Sequence, residues 1–169
     1  VLRGRGILTD SVPPGKDATP VSATPPGREL LVDSDRAGSL EAGSWWSFFI
    51  ASALAKIALR TWAFERVIRR VRQRKAMMAP KAAPLDVERA RVLVETFMRY
   101  RIFLFSSKNE CLYDSLALIE FLARNGIYAD WVFGVQTRPF AAHCWVQQGD
   151  TVFNDTVEHV SGYTPIMVV

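Results

Sequence analysis

The chain has 169 residues, of which 49% are apolar and 11% aromatic, and it carries a formal net charge of +4. That length supports one well-buried core with a small appendage, and the composition excludes a wholly disordered chain. Two cysteines 33 positions apart exclude a disulfide framework, and no apolar h-region follows the first arginines, so a reducing cytoplasmic setting is expected.

The charge is unevenly spread. Residues 45–80 hold eight Lys and Arg against one acidic residue, whereas residues 102–169 hold three against seven. The middle of the chain therefore suits an acidic partner of some kind, and charge alone leaves nucleic acid, membrane surface and acidic protein open.

The chain starts at Val1, which suggests a trimmed or partial N-terminus. Residues 1–44 include Pro13, Pro14, Pro20, Pro25 and Pro26 among small polar residues, a composition expected of a flexible linker. Leu30-Leu31-Val32 is a candidate docking segment within it.

Residues 45–80 are expected to form one amphipathic basic helix. At helical spacing Trp46, Ile50, Ile57, Phe64, Ile68 and Val71 share a side, and Lys56, Arg66, Arg69, Arg70 and Arg74 spread over the other. The uncharged run Trp45–Ala55 falls far short of the ~20 residues a span needs. Lys56 and Arg60 would each cost ~3 kcal/mol at mid-bilayer. A helix packed on the protein's own core, with membrane-surface or partner contact as the alternative, is the expectation.

The last region, 81–169, reads as the main domain. Asp86 is placed to cap a helix whose inner face is Ala90, Leu93, Val94, Phe97 and Met98. Leu112–Asn125 reads as a second helix, with a buried stripe of Leu112, Leu116, Ile119, Leu122 and Ala123 and with Gly126 at C′. Tyr128–Val135 reads as a strand, and Gln136–Phe140 as a loop. Ala142–Gln147 and Thr151–Asp155 form a hairpin around Gln148-Gly149-Asp150, and Pro165–Val169 a final strand.

Cys111 then stands at the start of a helix, where unpaired amides and the helix dipole favour thiolate and suit an oxyanion. With a three-residue hairpin loop, His143 faces Asp155 across the ladder, in range for a carboxylate to fix the imidazole tautomer. The triad expected is Cys111 as nucleophile, His143 as general base and acid, and Asp155 as orienting carboxylate. Trp145 shares the face of His143. Cys144 is expected in the core and His159 as a solvated residue of a polar tail. A zinc site is disfavoured because Cys111, His143, Cys144 and His159 lack short paired spacings.

These residues resemble the leader peptidases, or B proteins, of lasso-peptide biosynthesis. The resemblance rests on Cys111-Leu112, Ser115-Leu116-Ala117-Leu118, Gly126, Gly134-Val135, Pro139-Phe140, His143, Trp145-Val146 and Asn154-Asp155. The triad spacings of 32 and 12 agree with it. It implies an α+β fold of the papain/transglutaminase type, with the cysteine helix packed on an antiparallel sheet and preceded by helices and a linker. It also implies a cysteine peptidase that cuts a ribosomally made precursor between leader and core. The partners it implies are that precursor peptide, a leader-binding recognition module, and an ATP-dependent lactam synthetase that closes a ring on the freed core amine. No nucleic acid is implied, no cofactor is expected for the proteolysis, and ATP belongs to the synthetase.

Gln147 stands where many members have Glu, a change expected to touch substrate contacts. Of a leader-binding domain only Val1–Leu8 is placed to be a remnant, so either a separate recognition module or a domain missing from this trimmed chain is expected to supply leader binding. The alternatives to a peptidase are a transglutaminase-like acyl transferase and a non-catalytic interaction module.

Overall fold

A computed structural model describes residues 21, 23–30, 44–81, 86–102 and 111–169. The expected remnant Val1–Leu8, most of the linker and the polar stretch Ser106–Glu110 lie outside those residues.

In chain order the elements are β1 (Arg28–Glu29), α1 (Ser44–Thr61), α2 (Phe64–Met78), α3 (Val87–Arg101), α4 (Cys111–Arg124), β2 (Asp130–Thr137), β3 (Phe140–Gln148), β4 (Thr151–Val152), α5 (Val157–Ser161) and β5 (Thr164–Val168). The strands form one sheet in the order β1-β4-β3-β2-β5, antiparallel except where β1 runs parallel to β4. The α+β fold is therefore as expected.

The centre is α4. Every residue from Asp114 to Leu122 is buried, so the helix is enclosed on all sides and not merely on the expected stripe. It lies against β3 and β2 on one part of its surface and against α1 and α3 on others. Its two inner acids are paired, Glu120 with Arg74 at 2.6 Å and Asp114 with Arg101 at 3.2 Å. It closes on Gly126, whose φ of +82° admits the backbone bonds Gly126 N–H to Ala123 and Ile127 N–H to Leu122. This is the left-handed stop that glycine makes without a Cβ clash. Asp86 caps α3 as expected, accepting from the Arg89 N–H at 3.1 Å, and Ala90, Leu93, Val94 and Phe97 are buried beneath it.

Four expectations need correction. The single helix over 45–80 is two, parted at Trp62-Ala63. Thr61 Oγ1 donates to the Ile57 carbonyl at 2.7 Å, and Ala63 is extended. The change of direction lets Phe64 meet Trp131 and Phe133 of β2 edge-on. It also lets Lys75 pair with Asp130 and donate to the Val169 carbonyl. Part of the basic face is thus neutralised within the chain.

The buried face of α1 also differs from the expected one. Trp46 is 60% exposed and Ile57 54%, while Phe48, Ala51, Ser52 and Ala55 are buried. Those four follow the same i, i+3, i+4, i+7 rule, so periodicity fits both stripes. The small residues let α1 approach α4 closely, where Tyr113 Oη donates to the Ser52 carbonyl at 3.1 Å.

The third correction is at the edge of the sheet. Arg28–Glu29 lies inside the expected linker yet forms β1, with the Leu30 N–H bonded to the Val152 carbonyl and the Leu30 side chain in the core. The Gln136–Phe140 loop shrinks to a tight turn at Arg138-Pro139, joined by a cis peptide, because β2 and β3 pair all the way to Thr137 and Phe140.

Candidate active site

Cys111 is the first residue of α4, half-buried and at the end where helix amides are unpaired. The helix start is locked to the sheet through Ser115. Its hydroxyl donates to the Cys111 carbonyl at 2.6 Å, accepts from Trp131 Nε1 at 2.8 Å, and lies 3.3 Å from Cys144 Sγ. A hydroxyl is needed here because one group must both donate to a carbonyl and accept from an indole.

His143 lies on β3 opposite Gly134 of β2. A Cβ on Gly134 would come within 3.0 Å of the Trp145 ring and 2.9 Å of Tyr163, so glycine leaves room for the two rings that hold His143. Trp145 stacks at 6.0 Å from the imidazole, and Tyr163 lies at 5.3 Å on a tilt. Trp145 is fully buried, with Nε1 donating to Gln147 Oε1 at 2.9 Å. Gln147 in turn donates to the Thr24 and Gly149 carbonyls. It is a buried structural residue, which corrects the expectation of a substrate contact.

His143 Nε2 and Asp155 Oδ2 are 2.5 Å apart, so the expected pair is present. The route to it differs from the expected one. The hairpin turn has two residues, Gly149-Asp150, with Gln148 paired to Thr151 and Gln147 to Val152. In that register a continued β4 would set Asp155 beside Cys144 and not His143. Instead β4 stops at Val152 and the chain bends over 153–155. Asn154 Oδ1 takes the Val146 N–H at 2.8 Å, which leaves Asp155 free to turn toward the imidazole.

The electrostatics follow from these contacts. The Cys111 sulfur accepts hydrogen bonds from the Cys144 thiol first and from His143 second, and the thiol is pushed down to about 4. Cys144 is pushed up, by that same bond and by burial, and stays a thiol. It lies in the core as expected, and in addition it supports the Cys111 thiolate. With Nε2 committed to Asp155, Nδ1 of His143 is the nitrogen left for Cys111. Burial opposes a charged His143, but Asp155 and Cys111 outweigh it and raise the group to about 9. Burial likewise opposes ionised Asp155, and hydrogen bonds from His143, His159 and the Thr156 N–H hold it below the usual carboxylate range. One helical turn into α4, Asp114 is raised by burial, with Arg101 as the main opposing influence.

His159 is exposed, as expected, but it is not part of an irregular polar tail. It belongs to α5, which Thr156 caps by accepting the His159 N–H at 3.2 Å, and its Nδ1 lies 2.9 and 3.0 Å from the two Asp155 oxygens. The signal was there as Thr156 opening a short helical turn, with Asp155 and His159 at i, i+4 across it. Among the described residues, His143, Asp155 and His159 also bring potential metal-ligand atoms within 4.8 Å of one another. That trio is not among the spacings weighed from sequence.

The pattern of the transglutaminase-like superfamily matches residues 52–168. The chain belongs to that superfamily. The match begins within α1 and runs through α2 into the region from 81 onward. The chain is also 46% identical over 48 residues to the microcin J25-processing protein McjB of Escherichia coli. That stretch is 28% of this chain and 23% of the relative, so the chain spans under a quarter of that protein's length. No solved structure matches the chain significantly.

Proposed function

We propose that this transglutaminase-like protein is a cysteine peptidase that removes the leader from a ribosomally made lasso-peptide precursor. The observation that carries the reading is the joining of Cys111 at a helix N-terminus to an imidazole whose far nitrogen is bonded to Asp155. The similarity to a microcin-processing protein supports the substrate class.

In this reading the Cys111 thiolate attacks the scissile carbonyl, and the negative oxygen is met by the free amides of the first turn of α4. Imidazolium His143 gives its Nδ1 proton to the departing amine as the C–N bond breaks, leaving a thioester. Neutral His143 then takes a proton from water, which attacks the thioester carbonyl and releases the leader acid and the thiolate. Asp155 stays ionised and fixes the tautomer. These steps use only side chains and backbone, so no cofactor enters the proposal.

The partners proposed are the precursor, a separate leader-binding module and a lactam synthetase that uses the ATP, all in the cytoplasm. No nucleic acid is proposed as a partner. A peripheral contact with anionic lipid is proposed for α1, where exposed Trp46, Ile50 and Ile57 neighbour Lys56 and Arg60 in sequence. No helix among the described residues is long and apolar enough to cross a membrane. Sedimentation with anionic against neutral vesicles tests the lipid contact, and equal recovery from both would remove it.

The test of the activity is mass spectrometry on a leader–core precursor mixed with the leader-binding module and either wild type or Cys111→Ala. Two fragments summing to precursor plus one water, absent with the variant, are expected. Superfamily membership favours a second reading, acyl transfer to an amine, and a new amide in place of the free acid would select it. An intact precursor with the synthetase also present would leave the binding-module alternative in its place.

A further inference from the structure

Asp155 must present one oxygen to His143 while its carboxylate rotates about a single bond. Oδ2 meets His143 Nε2 at 2.5 Å, and Oδ1 accepts the adjacent Thr156 N–H at 2.8 Å. That amide belongs to the same short bend and moves with it. The third contact comes from elsewhere: His159 Nδ1 lies nearly equidistant from Oδ1 and Oδ2, at 2.9 and 3.0 Å. A donor shared between both oxygens lies near the carboxylate plane and resists its rotation. His159 is itself held, with its ring 4.8 Å from His143 and edge-on to Tyr163 at 5.4 Å. Its side chain is 50% exposed, so burial alone gives no reason for this placement.

We infer that His159 is a positioning residue, whose Nδ1–H forks across Asp155 and fixes the carboxylate that aims His143 at Cys111. The site is then a chain of four groups, Cys111–His143–Asp155–His159, and not a triad with a bystander. The inference rests on the reading of Cys111, His143 and Asp155 as the reacting site. Among the described residues, the other charged or titratable groups around it include Cys144 on β3, Asp114 on α4, Arg101 on α3, Tyr163 before β5, and Glu158 beside His159. Glu29 on β1 is close as well, its Oε1 accepting the Val157 N–H at 2.7 Å. Arg101 is engaged with Asp114, and Glu29 with the backbone of α5. Among the described residues, His159 is the side chain that meets both oxygens of Asp155.

The test needs no substrate. Iodoacetate is an anionic alkylating agent, so its reaction with the Cys111 thiolate is helped by imidazolium His143 and slows when that proton leaves. Rates are measured across pH on the full chain, with the modified peptide located by mass. Wild type is expected to rise through about pH 4 and fall through about pH 9. In His159→Ala the falling limb is expected to move down by about one pH unit or more, because a misaligned carboxylate holds the imidazolium less well. In His159→Asn, whose Nδ2 lies as many bonds from Cα as the lost Nδ1, the limb is expected to return to the wild-type position. Should the alanine chain not fold, His159→Phe keeps the ring and removes the donor. A falling limb unmoved in the donor-less variant overturns the inference, and so does an asparagine variant that behaves like alanine. A wild-type Cys111 with no low-pH reactivity would instead overturn the reacting site itself.

Discussion

The region around Cys111 and the pair of basic helices α1 and α2 differ in how many arrangements their residue types permit. In the first, residue types that chemistry seldom places together, a helix-initial cysteine, a strand histidine and an aspartate beyond it, converge in space. In the second, bulky apolar residues at helical spacing pointed to the wrong face of α1. The difference is in what each pattern excludes. An apolar helix carries several periodic stripes, and close packing against α4 selected the one with Phe48 and three small residues. A nucleophile, a base and a carboxylate satisfy far fewer alternatives.

The strongest way to break the contrast is at Asp155. Asp155→Asn should cut precursor cleavage by about 10^2- to 10^4-fold while leaving the melting temperature close to wild type, since the neutral amide cannot hold imidazolium. Activity within a few-fold of wild type, read by quantitative mass spectrometry, would make the convergence incidental.

Next come two structural substitutions. Gln147→Glu replaces the donor facing the Thr24 and Gly149 carbonyls with an acceptor, and urea unfolding should show a loss of about 1–3 kcal/mol. An unchanged midpoint with altered cleavage would return Gln147 to the substrate. On α1, Ala51→Leu should cost about 1–3 kcal/mol by overpacking, whereas Trp46→Ser should stay within about 0.5 kcal/mol. The reverse order would restore the bulky face as the buried one.

The smallest expected effect is that of a chelator. EDTA should leave Cys111-dependent cleavage unchanged, and a marked fall would turn His143, Asp155 and His159 into a metal centre.

Much of the fold was legible because its markers are local. Asp86 at an N-cap, Gly126 at C′, and the β-branched and aromatic residues of β2 each act within a few residues. The contact of His143 with Asp155 was legible too, but by a route that holds only in part. A three-residue hairpin loop would have delivered it along the ladder, while the actual two-residue turn would not. The bend over 153–155 and the Asn154 side chain make the contact instead, and neither has a periodicity to read. His159 was missed for a related reason. A helix of five residues leaves almost no pattern, and its role depends on a carboxylate whose direction is set by tertiary contacts. The break at Trp62-Ala63 contains neither Gly nor Pro and is set by what Phe64 and Lys75 reach.

The account stands on a resting thiolate at Cys111 beside a protonated His143. The two shifts are opposite in sign and favour the same ion pair: Cys111 is pushed down to about 4 by its hydrogen bonds from Cys144 and His143, and His143 is raised to about 9 by Asp155 and Cys111 against burial. Thiolate absorbance near 240 nm, taken as the difference between wild type and Cys111→Ser across pH, measures this directly. The account predicts a thiolate signal that appears with a midpoint near pH 4 and persists through neutral pH. A signal that appears only near pH 9 would contradict it, leaving Cys111 an ordinary thiol at the head of a helix.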